Sequence, residues 1–80
     1  MRVDIWERTV VVALDSADHF ESVQTSRDAL ACLMTRWPRS RGQSFAQARR
    51  ACMGSLSGKV SASFAINAFE DAARDAGVLR

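Results

Sequence analysis

The sequence has no acidic residue between Asp28 and Glu70. That stretch holds six basic residues: Arg36, Arg39, Arg41, Arg49, Arg50 and Lys59. The first 28 residues have the opposite balance, with six acidic side chains against three basic ones. The formal net charge of +2 therefore hides an acidic front and a basic middle. Such segregation either joins two parts of the fold or presents a basic surface to an anionic partner.

Residues that bind metals or act as nucleophiles are scarce. His19 is the one histidine, and the two cysteines, Cys32 and Cys52, form no C-x-x-C pair. A metal site needs several such ligands to converge. Both cysteines fall on apolar stripes of predicted helices, where a thiol packs as a small hydrophobe and is not activated. We therefore expect no metal, no cofactor, no catalytic constellation, and a protein that is not an enzyme.

Long apolar runs are also missing. The longest is Ala29–Met34, six residues, whereas a helix needs about 20 apolar residues to cross a bilayer. Asp4, Glu7 and Arg8 interrupt the N-terminal residues, unlike the apolar core of a signal peptide. The low cysteine content fits a reducing compartment. We expect a soluble, cytoplasmic protein with no membrane partner.

The length of the chain, 80 residues, predicts a single domain over residues 1–80. Its composition, 48% hydrophobic and 25% charged, is typical of globular proteins. A chain of this size buries roughly 60–65% of its unfolded surface. Its stability is therefore expected to be marginal, and a partner subunit would increase it.

Residues 3–14 are rich in valine, isoleucine, tryptophan and threonine, which favour a strand. Asp15–Asp18 predicts a turn, and His19–Gln24 predicts a returning strand. The result is a hairpin over about residues 3–24. Because two strands alone are barely stable in water, two arrangements remain open. Either the hairpin lies flat on the third helix, or it pairs with the hairpin of a second copy in a two-fold homodimer.

The helix signals that follow are clearer. Thr25 with Asp28, and Ser44 with Gln47, have the spacing of capping boxes. Pro38 ends the first helix because the residue before a proline is pushed out of the α region. Helices are thus predicted over about residues 26–37, 45–57 and 62–76. The predicted fold class is α+β: an N-terminal two-stranded antiparallel hairpin followed by three α-helices.

Apolar residues recur at helical spacing in all three segments. The stripe of the first helix is Leu30, Leu33, Met34 and Trp37. The stripe of the second helix is Phe45, Ala48, Cys52 and Leu56. The third helix has a wide arc of Ala62, Ala65, Ile66, Phe69, Ala73 and Ala76, extended by Phe64, Ala68 and Ala72. Gly58 and Gly77 are placed to end the second and third helices in the left-handed conformation.

The basic middle is the segment with functional content. Our candidate surface for a protein partner or nucleic acid is Arg36, Arg39, Arg41, Arg49 and Arg50. Arginines beside Trp37 in a loop suit phosphate contact and base stacking. The alternative is that they pair with the acidic hairpin or with the C-terminal end of the first helix. That alternative is favoured, because a net charge of +2 is small for a nucleic-acid binder.

The order of residues from Asp28 onward is distinctive. Trp37-Pro38 and Ala76-Gly77 punctuate it, and the other matching positions are Asp28, Ala29, Leu30, Leu33, Ala48, Cys52, Leu56, Gly58, Ala65, Ala68, Phe69, Ala72 and Ala73. In this order the chain resembles the small bacterial proteins grouped as domain of unknown function 982, over nearly its whole length. The resemblance implies a short, stand-alone soluble domain, and it brings no catalytic residue with it.

Two functions from different classes remain open. The first is a small non-enzymatic protein-interaction module, homodimeric through the hairpin or docking an unknown protein partner. The second is weak nucleic-acid binding through the basic middle, with affinity that falls steeply as salt rises. A small enzyme or ligand binder ranks last, because 80 residues leave little room for a pocket beside the core.

Overall fold

Two short antiparallel strands precede three helices in the computed structural model, which describes residues 5–14, 20–35, 37 and 42–80. The elements are β1 (Val10–Val12), β2 (Glu21–Val23), α1 (Ser26–Thr35), α2 (Gln43–Leu56) and α3 (Ala62–Asp75). This order confirms the predicted α+β fold. The turn predicted at Asp15–Asp18 lies outside the described residues. Among the helices described, none is long and apolar enough to cross a membrane.

The two strands pair over three residues, with Val10 opposite Val23 and Val12 opposite Glu21. Val10, Val12 and Val23 are buried and belong to the core, while Ser22 is exposed. Alternate residues of a strand point to opposite faces, so one face of the hairpin is apolar and covered by the helices. The hairpin therefore packs on the helical layer.

The first strand is shorter than the predicted segment 3–14, because the chain bends at Glu7 and Arg8. Beyond this bend the backbone amide of Trp6 donates to the carbonyl of Gln24 at 2.6 Å. The indole of Trp6 is 4% exposed and meets the ring of Phe69 at a centroid distance of 5.7 Å. Burial of this side chain against α3 thus overrides the local preference for an extended strand.

The C-terminal residues close one edge of the hairpin, which the sequence did not predict. Leu79 bridges Val12, and the amide of Arg80 donates to the carbonyl of Val11 at 2.8 Å. The polar backbone groups of Val11 therefore face the C-terminus. Because these groups alternate along an antiparallel pair, those of Ser22 point to the outer edge of β2. A homodimer through the hairpin would have to use that outer edge, and it stays a prediction.

The core gathers around α3. Phe69, Leu33 and Ile66 are its largest fully buried side chains, and Ala48 and Cys52 of α2 are fully buried beside them. Two predicted core residues are misplaced: Met34 is 52% exposed and Phe64 is 56% exposed. The apolar stripe of α1 is rotated, so that Ala29 and Cys32 are buried instead of Met34.

The observed helix ends agree in part with the ends predicted from the sequence. The Thr25 hydroxyl accepts from the amide of Asp28 at 2.9 Å, as the first capping box predicts. The second capping box is wrong: α2 begins at Gln43 with Gly42 as its N-cap, so Ser44 already lies inside the helix. The first helix ends at Thr35, two residues before the predicted end, and Trp37 follows it as a buried residue.

Gly77 ends α3 in the left-handed conformation, as predicted, with φ of 75°. The amide of Val78 donates to the carbonyl of Ala73 at 3.0 Å, and that of Gly77 to Arg74 at 3.1 Å, which is the Schellman pattern. An added Cβ at Gly77 would meet nothing within 4 Å. We therefore expect Gly77→Ala to cost about 1 kcal/mol of unfolding free energy through backbone strain alone.

Urea unfolding measures that loss. Gly77→Asn is the matched control, because asparagine tolerates the left-handed region better than alanine. The Asn variant should fall between the wild type and Gly77→Ala. An alanine variant as stable as the wild type would contradict this account of the helix end.

Candidate functional site

An open groove of about 610 Å³ lies between α2 and α3. Its apolar lining consists of Ala51, Val60, Phe64 and Ala68. The fully buried residues Ala48 and Ala65 lie on the core-facing sides of the same two helices. The groove therefore occupies the face of the α2–α3 pair that no described element covers.

Small residues explain why the groove exists. Ala51 and Ala68 line the seam between α2 and α3, and their short side chains leave a trough between larger neighbours. Gly54 has a related role, because an added Cβ there would lie 3.1 Å from a methyl group of Val60. Its missing side chain lets the loop after α2 fold back over the helix and close one end of the trough.

Phe64 is the most unusual residue of the groove. Its backbone amide donates to the hydroxyl of Ser61 at 3.2 Å, which fixes the first turn of α3. Its ring nevertheless stays 56% exposed. On the neighbouring helix, Met53 is 49% exposed and stands three residues after Arg50. Met53 does not line the groove, whereas Phe64 does, and a large apolar group exposed in a trough is a feature of binding surfaces.

The polar lining of the groove carries both signs of charge. Arg50 and Gln47 come from α2, and Asn67 and Asp71 from α3. Asp71 accepts from Arg74 at 3.1 Å, but both side chains are 65% exposed, so this pair contributes little stability. Within the part of the chain that the structure describes, the side chain of Arg50 forms no salt bridge or hydrogen bond.

A second, shallower groove extends the first one toward the start of α2. It has a volume of about 300 Å³ and shares Gln47 and Asp71 with the larger groove. Gln43 of α2 lies there beside Asp75 of α3. The first residues of α2 thus face the last residues of α3, and the two helices run antiparallel.

Of the five predicted arginines, two can be placed. Arg49 and Arg50 are both exposed on α2, and only Arg50 lines the groove. Arg36, Arg39 and Arg41 lie outside the described residues. The structure brings Arg50 together with Asp71 and with Phe64, which the sequence analysis placed on the apolar arc of the third helix.

Two N-terminal residues, Glu7 and Arg8, contact α3. Arg8 donates to Glu70 at 2.5 Å and to the side-chain oxygen of Asn67 at 3.1 Å. Ser63 donates to Glu7 at 3.2 Å. Glu7 and Arg8 thus tie the N-terminal segment to α3.

Cys32 lies in a separate pocket of about 280 Å³ between β2 and α1. Its thiol is buried and lies 4.0 Å from a carboxylate oxygen of Glu21. Cys52 is also buried, in the core between the helices. Among the residues described, no group of three or more His, Cys, Asp or Glu side chains could hold a metal ion, and His19 lies outside them.

The comparisons with known proteins identify a family without an assigned activity. Searches among curated proteins and among solved structures give no match. The family profile described as "Protein of unknown function (DUF982)" matches residues 8–80. That span includes all five elements of the fold and both helices of the groove. The chain therefore belongs to the DUF982 family.

Proposed function

We propose that the protein is a non-enzymatic protein-interaction module whose docking site is the α2–α3 groove. The observation that carries this proposal is the exposure of Phe64, 56%, in a groove of about 610 Å³. Aromatic and arginine side chains are enriched at the centres of protein interfaces, and the groove offers Phe64 with Arg50 across the trough.

The energetics favour a protein ligand. Covering the exposed part of a phenylalanine stabilises a complex by about 1–2 kcal/mol. Arg50 can donate charge-assisted hydrogen bonds to a carboxylate without first breaking a bond to a described residue. The best occupant is therefore an apolar helical face that carries an acidic residue.

Nucleic-acid binding is the second candidate. Its support is that Arg49 and Arg50 are exposed and form no ion pair with any described residue. Asp71 argues against this use of the groove, because its carboxylate would repel phosphates. Anisotropy of labelled DNA and RNA at two salt concentrations would favour this candidate if binding weakens steeply with salt.

The docking site is tested by photo-cross-linking in the cells that produce the protein. A benzoylphenylalanine replaces Phe64 in one variant and Phe20 in the other. Phe20 is the matched control, because it is 59% exposed on the hairpin. We expect a defined cross-linked product from position 64, none of that mass from position 20, and loss of the product when Arg50→Glu is added.

Equal products at the two positions, or no product from position 64, would contradict the proposal. A product from position 20 alone would move the docking surface to the hairpin. Survival of the position-64 product in the Arg50→Glu variant would remove the arginine from the site.

A further inference from the structure

We infer that the occupant of the α2–α3 groove is a second copy of this chain. The inference rests on the proposed function and names the partner of the same surface. Two copies would bring their α2–α3 faces together about a two-fold axis that runs along the helices. Each α2 would then lie on α3 of the other copy, and the four helices would form a bundle.

The surface is self-complementary in charge. A two-fold interface uses the same patch on both copies, so the patch must contain both members of each contact. The groove contains Arg50, which has no described ion-pair partner, and Asp71, whose carboxylate has only an exposed arginine beside it. One interface therefore contains two equivalent pairs, Arg50 of each copy with Asp71 of the other.

Arg50 and Asp71 lie at similar positions along the axes of α2 and α3, as such a pair between copies requires. Asp71 and Gln47 line both grooves and so lie opposite each other across the α2–α3 seam. Arg50 is three residues further along α2, a rise of about 4.5 Å. An arginine side chain spans that distance. In the alternative dimer, with the axis across the helices, α2 lies on α2 and the two Arg50 side chains repel.

The same axis accounts for the exposed apolar groups. Phe64 lies toward the loop end of α3, and Met53 and Gly54 lie toward the loop end of α2. With the axis along the helices, the Phe64 ring of each copy faces the end of α2 that carries Met53 and Gly54 in the other.

The available area predicts weak association. Each helix has 14 residues and is therefore about 21 Å long, and two adjacent helices are roughly 20 Å wide. The footprint is roughly 400 Å² on each copy, or about 800 Å² in total, which is below the roughly 1,000 Å² of a stable specific interface. The hairpin offers less, because β2 has three residues and only Ser22 between its ends directs backbone groups outward.

The test reverses the charge at Arg50 or at Asp71 and measures dimerisation by sedimentation equilibrium over a range of protein concentrations. We expect the wild type to dimerise reversibly, and Arg50→Glu and Asp71→Arg each to weaken dimerisation by at least about tenfold, because each creates two like-charge contacts. An equimolar mixture of these two variants should recover a dimer, since every contact between unlike chains then joins opposite charges.

Three further variants control the measurement. Arg49→Glu makes the same charge change beside the groove, and it should leave the wild-type dimer intact. Ser22→Pro removes an outward amide that the β1–β2 ladder does not use, so it should also leave the dimer intact. Phe64→Ala, a change at an exposed position, should weaken dimerisation without lowering the unfolding temperature measured at concentrations at which the wild type is monomeric.

A wild type that stays monomeric at the highest concentrations, or a mixture that fails to recover the dimer, would overturn the inference. If Ser22→Pro alone abolished dimerisation, the interface would be the hairpin. A monomeric protein that still cross-links to another protein at position 64 would keep the proposed function and remove the second copy as its partner.

Discussion

Replacing Phe69 with alanine is expected to destabilise the fold by about 3–5 kcal/mol. Phe69 is fully buried in α3. Its ring lies 5.7 Å from that of Trp6 and 5.5 Å from that of Trp37, measured between centroids. Phe69 thus joins the N-terminal segment to the residue that follows α1. No other described ring contacts both tryptophans.

That loss is large for so small a chain. At roughly 0.05–0.15 kcal/mol per residue, a domain of this length has a total stability of about 4–12 kcal/mol. Phe69→Ala therefore removes a large share of it, and the variant should be partly unfolded at 37 °C. Urea unfolding followed by tryptophan fluorescence measures the change directly, because both indoles contact the substituted ring.

Phe64→Ala is the matched control on the same helix. Phe64 is 56% exposed, so at concentrations at which the protein is monomeric its replacement should change the unfolding free energy by less than about 0.5 kcal/mol. Two variants of equal stability would contradict the assignment of Phe69 to the core and Phe64 to the surface. They would also remove the main support for the groove as a docking site.

The sequence predicted the order of the elements because that information is local. Ser61 and Gly77 mark the ends of α3 through bonds between residues no more than five positions apart. The period of apolar residues likewise identified Ala65, Ile66 and Phe69 as core. Short-range hydrogen bonds and helical periodicity are properties of a segment, and they can be read without knowing its neighbours.

The features of the fold that the sequence analysis did not predict depend on contacts between distant segments. The strand predicted over residues 3–14 is cut to Val10–Val12 because the chain bends at Glu7 and Arg8, and Trp6 packs on Phe69. Leu79 joins Val12 across most of the chain length. Local propensity indicates which conformation a segment prefers in isolation. Here contacts with distant segments determine where the strand begins and what it pairs with.

The candidate site was predicted only in part for the same reason. Charge counting pointed to Arg50 but could not place Asp71 beside the same groove, since that requires α2 and α3 to lie antiparallel. Periodicity placed Phe64 at the border of an apolar arc without showing that the position lacks a covering element. An apolar residue at such a border is the signal that could have indicated a docking surface.

Ser26→Ala is expected to cost about 2 kcal/mol, although it removes a single oxygen atom. Ser26 is fully buried at the start of α1. Its hydroxyl accepts from the indole nitrogen of Trp6 at 3.0 Å and donates to the hydroxyl of Ser55 at 3.0 Å. Three segments far apart in sequence therefore meet at this one oxygen atom: the N-terminal segment, the start of α1 and the end of α2.

The expected loss comes mainly from the group that is left behind. Without the serine oxygen, the buried indole N–H of Trp6 has no acceptor at that position, and an unsatisfied buried donor costs about 1–3 kcal/mol. Ser55 is less buried and can bond to water instead. Ser63→Ala is the control, because Ser63 is exposed and its bond to Glu7 joins two surface groups.

A double-mutant cycle with Trp6→Phe isolates the hydrogen bond from the packing. Phenylalanine keeps an aromatic ring but has no N–H donor, so Ser26→Ala should cost less in the Trp6→Phe background than in the wild type. The expected coupling is about 1–2 kcal/mol in urea unfolding. Strictly additive losses would show that the buried Trp6–Ser26 bond does not hold the N-terminal segment on the helices. In that case packing of the indole on Phe69 would have to account for the bend that shortens β1.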